Sequence, residues 1–419
     1  MGIVLLMDKK ALINTIQAAA DQYILLCASA INAELPLEVH ESIKLHKVSP
    51  PVIDALATVP MLKDGSGFML RSENGASSLH RNFIAPKLVK KALSTGSAEM
   101  AVTWLEKILG TEKAVGFSIM ALWGLAIQES VSLGHGISLM PIASLPDSSQ
   151  KRWLTAKDWT LFGLESMHMS MLEAPTTALV VESLIDPLIY DSTKSKLPTD
   201  ESAFISYKLL DDARLALTVI GPFAPIPACH WFQFKDPDIE EAQLGAGRSS
   251  PHIEIMPMFI KSFGEFDSKA ASVIVDKYLS MHSNTKKRIK LALERLNQGL
   301  RRTSPGDRAM EISIALETLL ADGGTENTFK VGLRAALLLG GDITTKLENR
   351  AIVGAAYTMR SALVHSGEVS PEIKIPKLGK LPSDNVASRA AIICADVIKK
   401  IIECGHIPEW SEFELVQNN

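Results

Sequence analysis

From about Ala270 to the end of the chain, apolar residues recur three or four positions apart, a spacing that strands with their period of two cannot use. Only helices packed side by side bury such faces together. Ala270 to Met281 is a short helix, and Lys286 to Arg302 carries Ile289, Leu293, Leu296 and Leu300 as its inner stripe. Ser304-Pro305-Gly306-Asp307 combines a capping serine, a proline at the first helical position and an early acid, so a helix is expected from there to about Ala321, with Ile312, Leu316 and Leu319 inward. Asp322-Gly323-Gly324 turns the chain, Thr325 caps the next helix through FKVGLRAALLL, and Gly340-Gly341 precedes another. In that one Ile352, Ala356, Met359 and Leu363 share a stripe, and Gly367 supplies the left-handed stop. Pro371 to Asn385 reads as a proline-punctuated loop carrying Lys374, Lys377 and Lys380, near enough to fold over that helix, before a last helix from Val386 to Cys404.

The preceding chain has another texture. Ala11 to Ile31 is a helix ended by Pro36; Pro50, Pro51 and Pro60 then divide the chain into short pieces, and Lys63 to Ser78 is loop-like. Its Gly65-Ser66-Gly67 lacks the lysine and helix of a phosphate-binding loop. Helices are expected near Ile84 to Ser94 and, capped by Ser97, to Leu109. After Gly110 the residues favour strands: AVGFSIMALWGLAIQ, a hairpin through Gly134-His135-Gly136, and the segments Thr177 to Ile185, Ala203 to Leu210, Leu215 to Gly221 and His230 to Phe234. Pro222, Pro225 and Pro227 mark an edge or a bent crossover. The expected organisation is therefore α+β and multidomain: a mostly helical segment over 1–109, a β-rich sensor or regulatory region over 110–262, and an all-α helical bundle over 263–419.

A net charge of -4 over 419 residues excludes a generally basic nucleic-acid binder, so any RNA contact must be local. The opening MGIVLLMDKK is too short in apolar residues for a secretory signal, and the 14 near-apolar residues from Ala114 to Ile127 fall short of a bilayer span. Cys27, Cys229, Cys394 and Cys404 show neither disulfide-framework nor zinc spacing. A cytoplasmic protein without membrane association, metal site or cofactor is expected.

Arg360 and His365, five positions apart at a helix end, are the residues best suited to chemistry. Tyr357, Ser361 and His365 fall on one line, and Arg360 is close enough to Tyr357 for four polar groups to converge. A histidine can take the proton of a ribose 2′-OH or return one to a leaving 5′ oxygen, while an arginine holds the phosphate and stabilises its growing charge. One histidine cannot readily serve as base and acid in a single step, so two copies of the helix, from two protomers, are expected to face each other. Lys286, Lys287, Arg288, Lys290, Arg301 and Arg302 form a basic helix face for RNA phosphates. Glu317 and Arg334, both embedded in apolar runs, read as a structural ion pair. His135 and His168 read as packing or solvent-exposed residues.

The succession LALERLNQGLRR, DRAMEISIALETLLADGG, FKVGLRAALLLGG and AAYTMRSALVHSG resembles the Apea-like branch of the HEPN superfamily over roughly Asp267 to Gly405. The resemblance implies a helical bundle that dimerises so that two R-x4-H motifs meet, forming a metal-independent RNA endonuclease of anti-phage, toxin or abortive-infection systems. Arg360 and His365 would be its catalytic pair, with Ser361 where many active members carry Asn, Asp or His. A homodimer or higher homo-oligomer, an RNA substrate, a phage-derived trigger and an antitoxin are the implied partners. The alternative is a non-catalytic dimerisation module joined to a region that senses a ligand or nucleic acid.

Overall fold

The computed structural model describes residues 8–28, 37–73, 75–155, 174–194, 202–221, 223–243, 250–251, 266–322 and 327–416. In chain order its elements begin with helices α1 (Lys9–Ala28), α2 (Leu37–Val48) and α3 (Pro50–Leu56), strands β1 (Phe68–Ser72) and β2 (Gly75–Ser78), and helices α4 (Arg81–Thr95) and α5 (Ala98–Gly110). Strands β3 (Ala114–Trp123), β4 (Val131–Ser132) and β5 (Ile137–Pro141), helix α6 (Ser149–Thr155), strands β6 (Thr177–Ile185) and β7 (Ile189–Asp191), helix α7 (Ser202–Leu217), strand β8 (Ile226–Phe234), helix α8 (Pro237–Ala242) and strand β9 (Ser250–Pro251) come next. Then come α9 (Ser268–Ser280), α10 (Ser283–Arg301), α11 (Pro305–Leu320), α12 (Asn327–Leu339), α13 (Ile343–Ser366), the strands β10 (Glu372–Ile375) and β11 (Gly379–Pro382), and helices α14 (Ser383–Cys404) and α15 (Trp410–Val416). The fold is mixed α and β with a helical C-terminal region.

Two compact units share the chain, and neither is a single stretch of it. One comprises Met1–Ser118, Glu182–Ile205 and Trp231–Ser249; the other comprises Ile119–Val181, Ser206–His230 and Ser250–Asn419. This differs from the three consecutive segments expected from the sequence. The cuts at 110 and 262 followed changes in local texture, whereas the units follow contacts between residues remote in sequence, as where α8 packs on α4 and α5 in the first.

In the first unit α1 packs on α3, α4 and α5, and Ile16, Leu56, Ile84, Leu88, Leu105 and Ile108 lie in its core. The Ser97 side chain accepts from the Met100 N–H and so starts α5, as its position in the sequence indicates. The stretch 63–78, expected to be a loop, instead supplies β1 and β2, which join β7 in an antiparallel sheet ordered β2-β1-β7. FMLRS and GASS are too short and too rich in small residues for an alternation signal; the pairing of Leu70 with Ile189 makes them strands.

The second unit is built around α11, which packs against α10, α12, α13 and α14. Ile312, Leu316, Leu319, Val331, Ile352, Met359, Val386 and Ile398 fill its core. The Ser304 hydroxyl accepts from the Asp307 N–H, as the capping sequence requires, while Thr325 lies outside the described residues. The expected strand Ala203 to Leu210 lies in α7, and the expected strand Leu215 to Gly221 is the end of α7 followed by a turn. Leu210, Ala213 and Leu217 are fully buried at helical spacing, and that periodicity outweighs the strand preference of the shorter runs. The expected loop after α13 is the antiparallel hairpin β10–β11, in which Ile373 pairs with Leu381 and the alternate residues Ile373 and Ile375 are buried. Its three prolines sit beside or at the ends of the strands, where a missing N–H costs least.

Candidate active site and adjoining groove

Helix α13 carries the expected pair. Its N-cap Asp342 accepts from the Thr345 N–H, and Gly367 ends it in the left-handed conformation with φ 74°, donating its N–H to the Leu363 carbonyl at 2.9 Å. His365 thus stands in the last turn, exposed. Behind this turn Gly306 of α11 leaves room for Leu363 and Val369: a Cβ on it would stand 2.8 Å from the Val369 methyl.

The four polar groups expected to converge do not. Five residues of an α-helix turn through about 140° beyond one full revolution, so Arg360 and His365 face different sides of α13. Arg360 turns to α11, where its Nη1 donates to Glu317 Oε1 at 2.7 Å, and its guanidinium carbon lies 5.8 Å from the centre of the Tyr357 ring. Tyr357 is buried, its hydroxyl 3.4 Å from the Ser313 carbonyl oxygen that accepts from it. Burial, and then the nearby Glu317 carboxylate, push that phenol well above its ordinary pKa and keep it a neutral donor. Ser361 and His365 are both exposed, and among the described residues no hydrogen bond joins them. Arg360 retains a third of its side-chain surface, 33%, so its remaining nitrogens reach solvent beside an anchored Nη1.

Glu317 and Arg334 are not partners. Arg334 is 1% exposed and donates to Glu414 at 2.6 Å, to the Leu320 carbonyl at 2.6 Å and to Asp322 at 2.8 Å. Trp410 lies over it, 5.5 Å away. This arginine fastens α15 and the end of α11 to α12, while Glu317, one turn before that end, serves Arg360. Sequence separation gives no means of choosing between the two arginines; the helix register does.

The basic face of α10 is also largely engaged within the chain. Lys286 donates to the Leu279 carbonyl at 3.1 Å, and Lys290 to Asp212 at 2.7 Å. Arg288 donates to the Thr318 carbonyl at 2.8 Å, and Arg302 to Glu311 at 2.8 Å. Arg301 is half-buried and also has a partner, so among the described residues Lys287, which is exposed, is the cation of the six left without one. Counting basic residues along the helix cannot reveal Asp211, Asp212 and Glu311, which come from elsewhere in the chain. His135 is exposed, with Nε2 3.1 Å from Ser280 Oγ and 3.5 Å from the Asp276 carboxylate; His168 lies outside the described residues.

A groove of about 660 Å³ runs between α13 and the β10–β11 hairpin. Its floor includes Leu347, Ala351, Gly354 and Thr358 of α13, and Lys374 and Lys377 line its other side. Arg350 also lines it, with its guanidinium carbon 4.5 Å from the centre of the Phe329 ring. Of these cations Lys374 and Lys377 were visible in the sequence as neighbours of the helix. Arg350, four residues before Gly354, has no such signal in the sequence. No family model, curated protein or solved structure matches this chain.

Proposed function

We propose that this chain is a metal-independent RNA endonuclease of the HEPN type that acts as a homodimer, with Arg360 and His365 as its catalytic residues. The placement of His365 carries the reading: an exposed imidazole in the last turn of a long helix, on a chain whose Arg360 is anchored by one nitrogen and open at the others. Because the two side chains leave α13 on different sides, one copy of the helix does not bring them together. A second copy facing it can supply the missing group, one histidine as base and the other as acid. Val364, 62% exposed beside His365, gives such a contact an apolar element.

In this reading one imidazole takes the 2′-OH proton, the 2′ oxygen attacks phosphorus, and the second imidazole protonates the departing 5′ oxygen. The free nitrogens of Arg360 hold the phosphate and stabilise the added charge in the transition state. Defence against phage, with residues 1–262 as the controlling region and a phage-derived trigger or an antitoxin as partner, is the biological setting the resemblance implies. The absence of an orienting bond from Ser361 to His365 favours the rival reading, a non-catalytic dimerisation module.

The test incubates the full chain with total RNA in EDTA beside His365→Ala and Arg360→Ala. Cleavage by the unsubstituted chain that both substitutions abolish supports the nuclease; equal cleavage by all three removes the pair from catalysis. Sedimentation of the same samples decides the assembly, because a strict monomer is incompatible with a site shared between two copies.

A further inference from the structure

We infer that the groove between α13 and the β10–β11 hairpin binds single-stranded RNA and leads its backbone to His365. The inference rests on the nuclease reading for the strand's destination, and on the groove itself for the strand's binding. Leu347, Gly354 and Thr358 on its floor are 18, 11 and 7 residues before His365. On a 3.6-residue helix all three fall within about 20° of the His365 direction. The floor therefore points along α13 at the imidazole, about 10 Å beyond Thr358 at ~1.5 Å per residue. Thr358, Ser361 and His365 are all exposed, so the line is open to solvent.

Its chemistry fits one kind of occupant. Lys374, Lys377 and Arg350 supply three positive charges, while the one lining carboxylate, Glu348, is paired with Arg389. Between the cations the surface is small and apolar at Ala351, Gly354 and Ala355, and an added Cβ on Gly354 would meet nothing within 4 Å. From Thr344 to Thr358 the floor is about 21 Å long at ~1.5 Å per residue, room for roughly six nucleotides at the ~3.4 Å stacked spacing. Lysines on the hairpin side, an arginine on the helix side and a small apolar floor between them suit a phosphate backbone with its bases laid against the helix.

The test uses the full chain carrying His365→Ala, so that binding is read without cleavage, and a fluorescent 12-nucleotide RNA followed by anisotropy. Lys374→Ala with Lys377→Ala removes two charges, so the slope of log K against log salt should fall by about 1.4, and binding should weaken about 25-fold at 0.1 M salt. Gly354→Leu fills the floor where there is space and replaces a poor helix former, so it should weaken binding while the melting temperature holds or rises. Unchanged binding in both variants overturns the assignment, as does tighter binding of the duplex of the same sequence. Poly-glutamate bound as tightly as RNA, with the same dependence on these residues, would make the groove a site for an acidic protein and also overturn it. The two readings fail differently. Cleavage independent of His365 with groove-dependent binding removes the nuclease alone; His365-dependent cleavage with groove variants behaving as the unsubstituted chain removes the groove alone.

Discussion

Glu317 holds Arg360, so replacing it with Gln tests whether a positioned guanidinium matters. Two unit charges about 4 Å apart interact by ~1 kcal/mol in water and ~4 kcal/mol at an effective dielectric constant of 20. Arg360 and Glu317 keep 33% and 26% of their side-chain surface, so screening places the pair between these limits, and ordering both side chains offsets part of the gain. The coupling should be roughly 1.5 kcal/mol, between a solvated surface pair and a charge-assisted bond made in the interior. A double-substitution cycle of Glu317→Gln and Arg360→Gln, read by urea unfolding, measures it directly. A coupling below about 0.3 kcal/mol would mean that Arg360 is an ordinary solvated cation. The same substitution has a kinetic consequence. An unanchored arginine must be ordered in the transition state at ~0.5–1.5 kcal/mol, which is a loss of about 2- to 10-fold in kcat/KM, whereas Arg360→Ala should abolish cleavage. Faster cleavage by Glu317→Gln would show that the carboxylate masks the guanidinium and would refute the positioning role.

Three further outcomes test the surrounding structure. Arg334→Ala leaves Asp322, Glu414 and the Leu320 carbonyl without their shared donor, and should cost about 3–5 kcal/mol in calorimetry, with the Trp410 fluorescence changing as α15 loosens. Gly367→Ala places a Cβ at φ 74° and should lower stability by roughly 1 kcal/mol, with faster amide exchange confined to the last turn around His365. Burial lowers the Lys87 amine from its ordinary range to about 8, although the Glu241 and Gln243 carbonyls accept from it. A folded pKa below the unfolded one means that the unfolded chain binds more protons between about pH 8 and the normal lysine pKa near 10.5. Stability of the first unit should therefore rise with pH across that window, and Lys87→Met should flatten the rise in denaturation curves.

The helices of the second unit were legible because each has a local cause: the Ser304 cap, the Gly367 stop, the stripe of Ile352, Ala356 and Met359. The partners of charged residues were not, because Glu317, Arg334 and Arg360 are distributed by the register between α11, α12 and α13, and no local pattern encodes register. The same limit explains the basic face of α10, whose lysines meet Asp212 from a segment more than seventy residues earlier. It also explains α7, where two strand-like runs merge because the core accepts Leu210, Ala213 and Leu217 together. For the candidate site, the Gly367 stop and the place of His365 in the last turn were legible, but Arg360 was expected on the same side and the turn of the helix carries it away. The groove required the hairpin, and the hairpin required Ile373 and Ile375 to find a core.

The most direct measurement is the chemistry of the cut ends. RNA cleaved by the purified chain in EDTA should carry a 2′,3′-cyclic phosphate on one fragment and a 5′-OH on the other, and these ends should vanish with either His365→Ala or Arg360→Ala. Fragments bearing 3′-OH and 5′-phosphate ends, or cyclic phosphates that persist in both variants, would contradict catalysis by this pair.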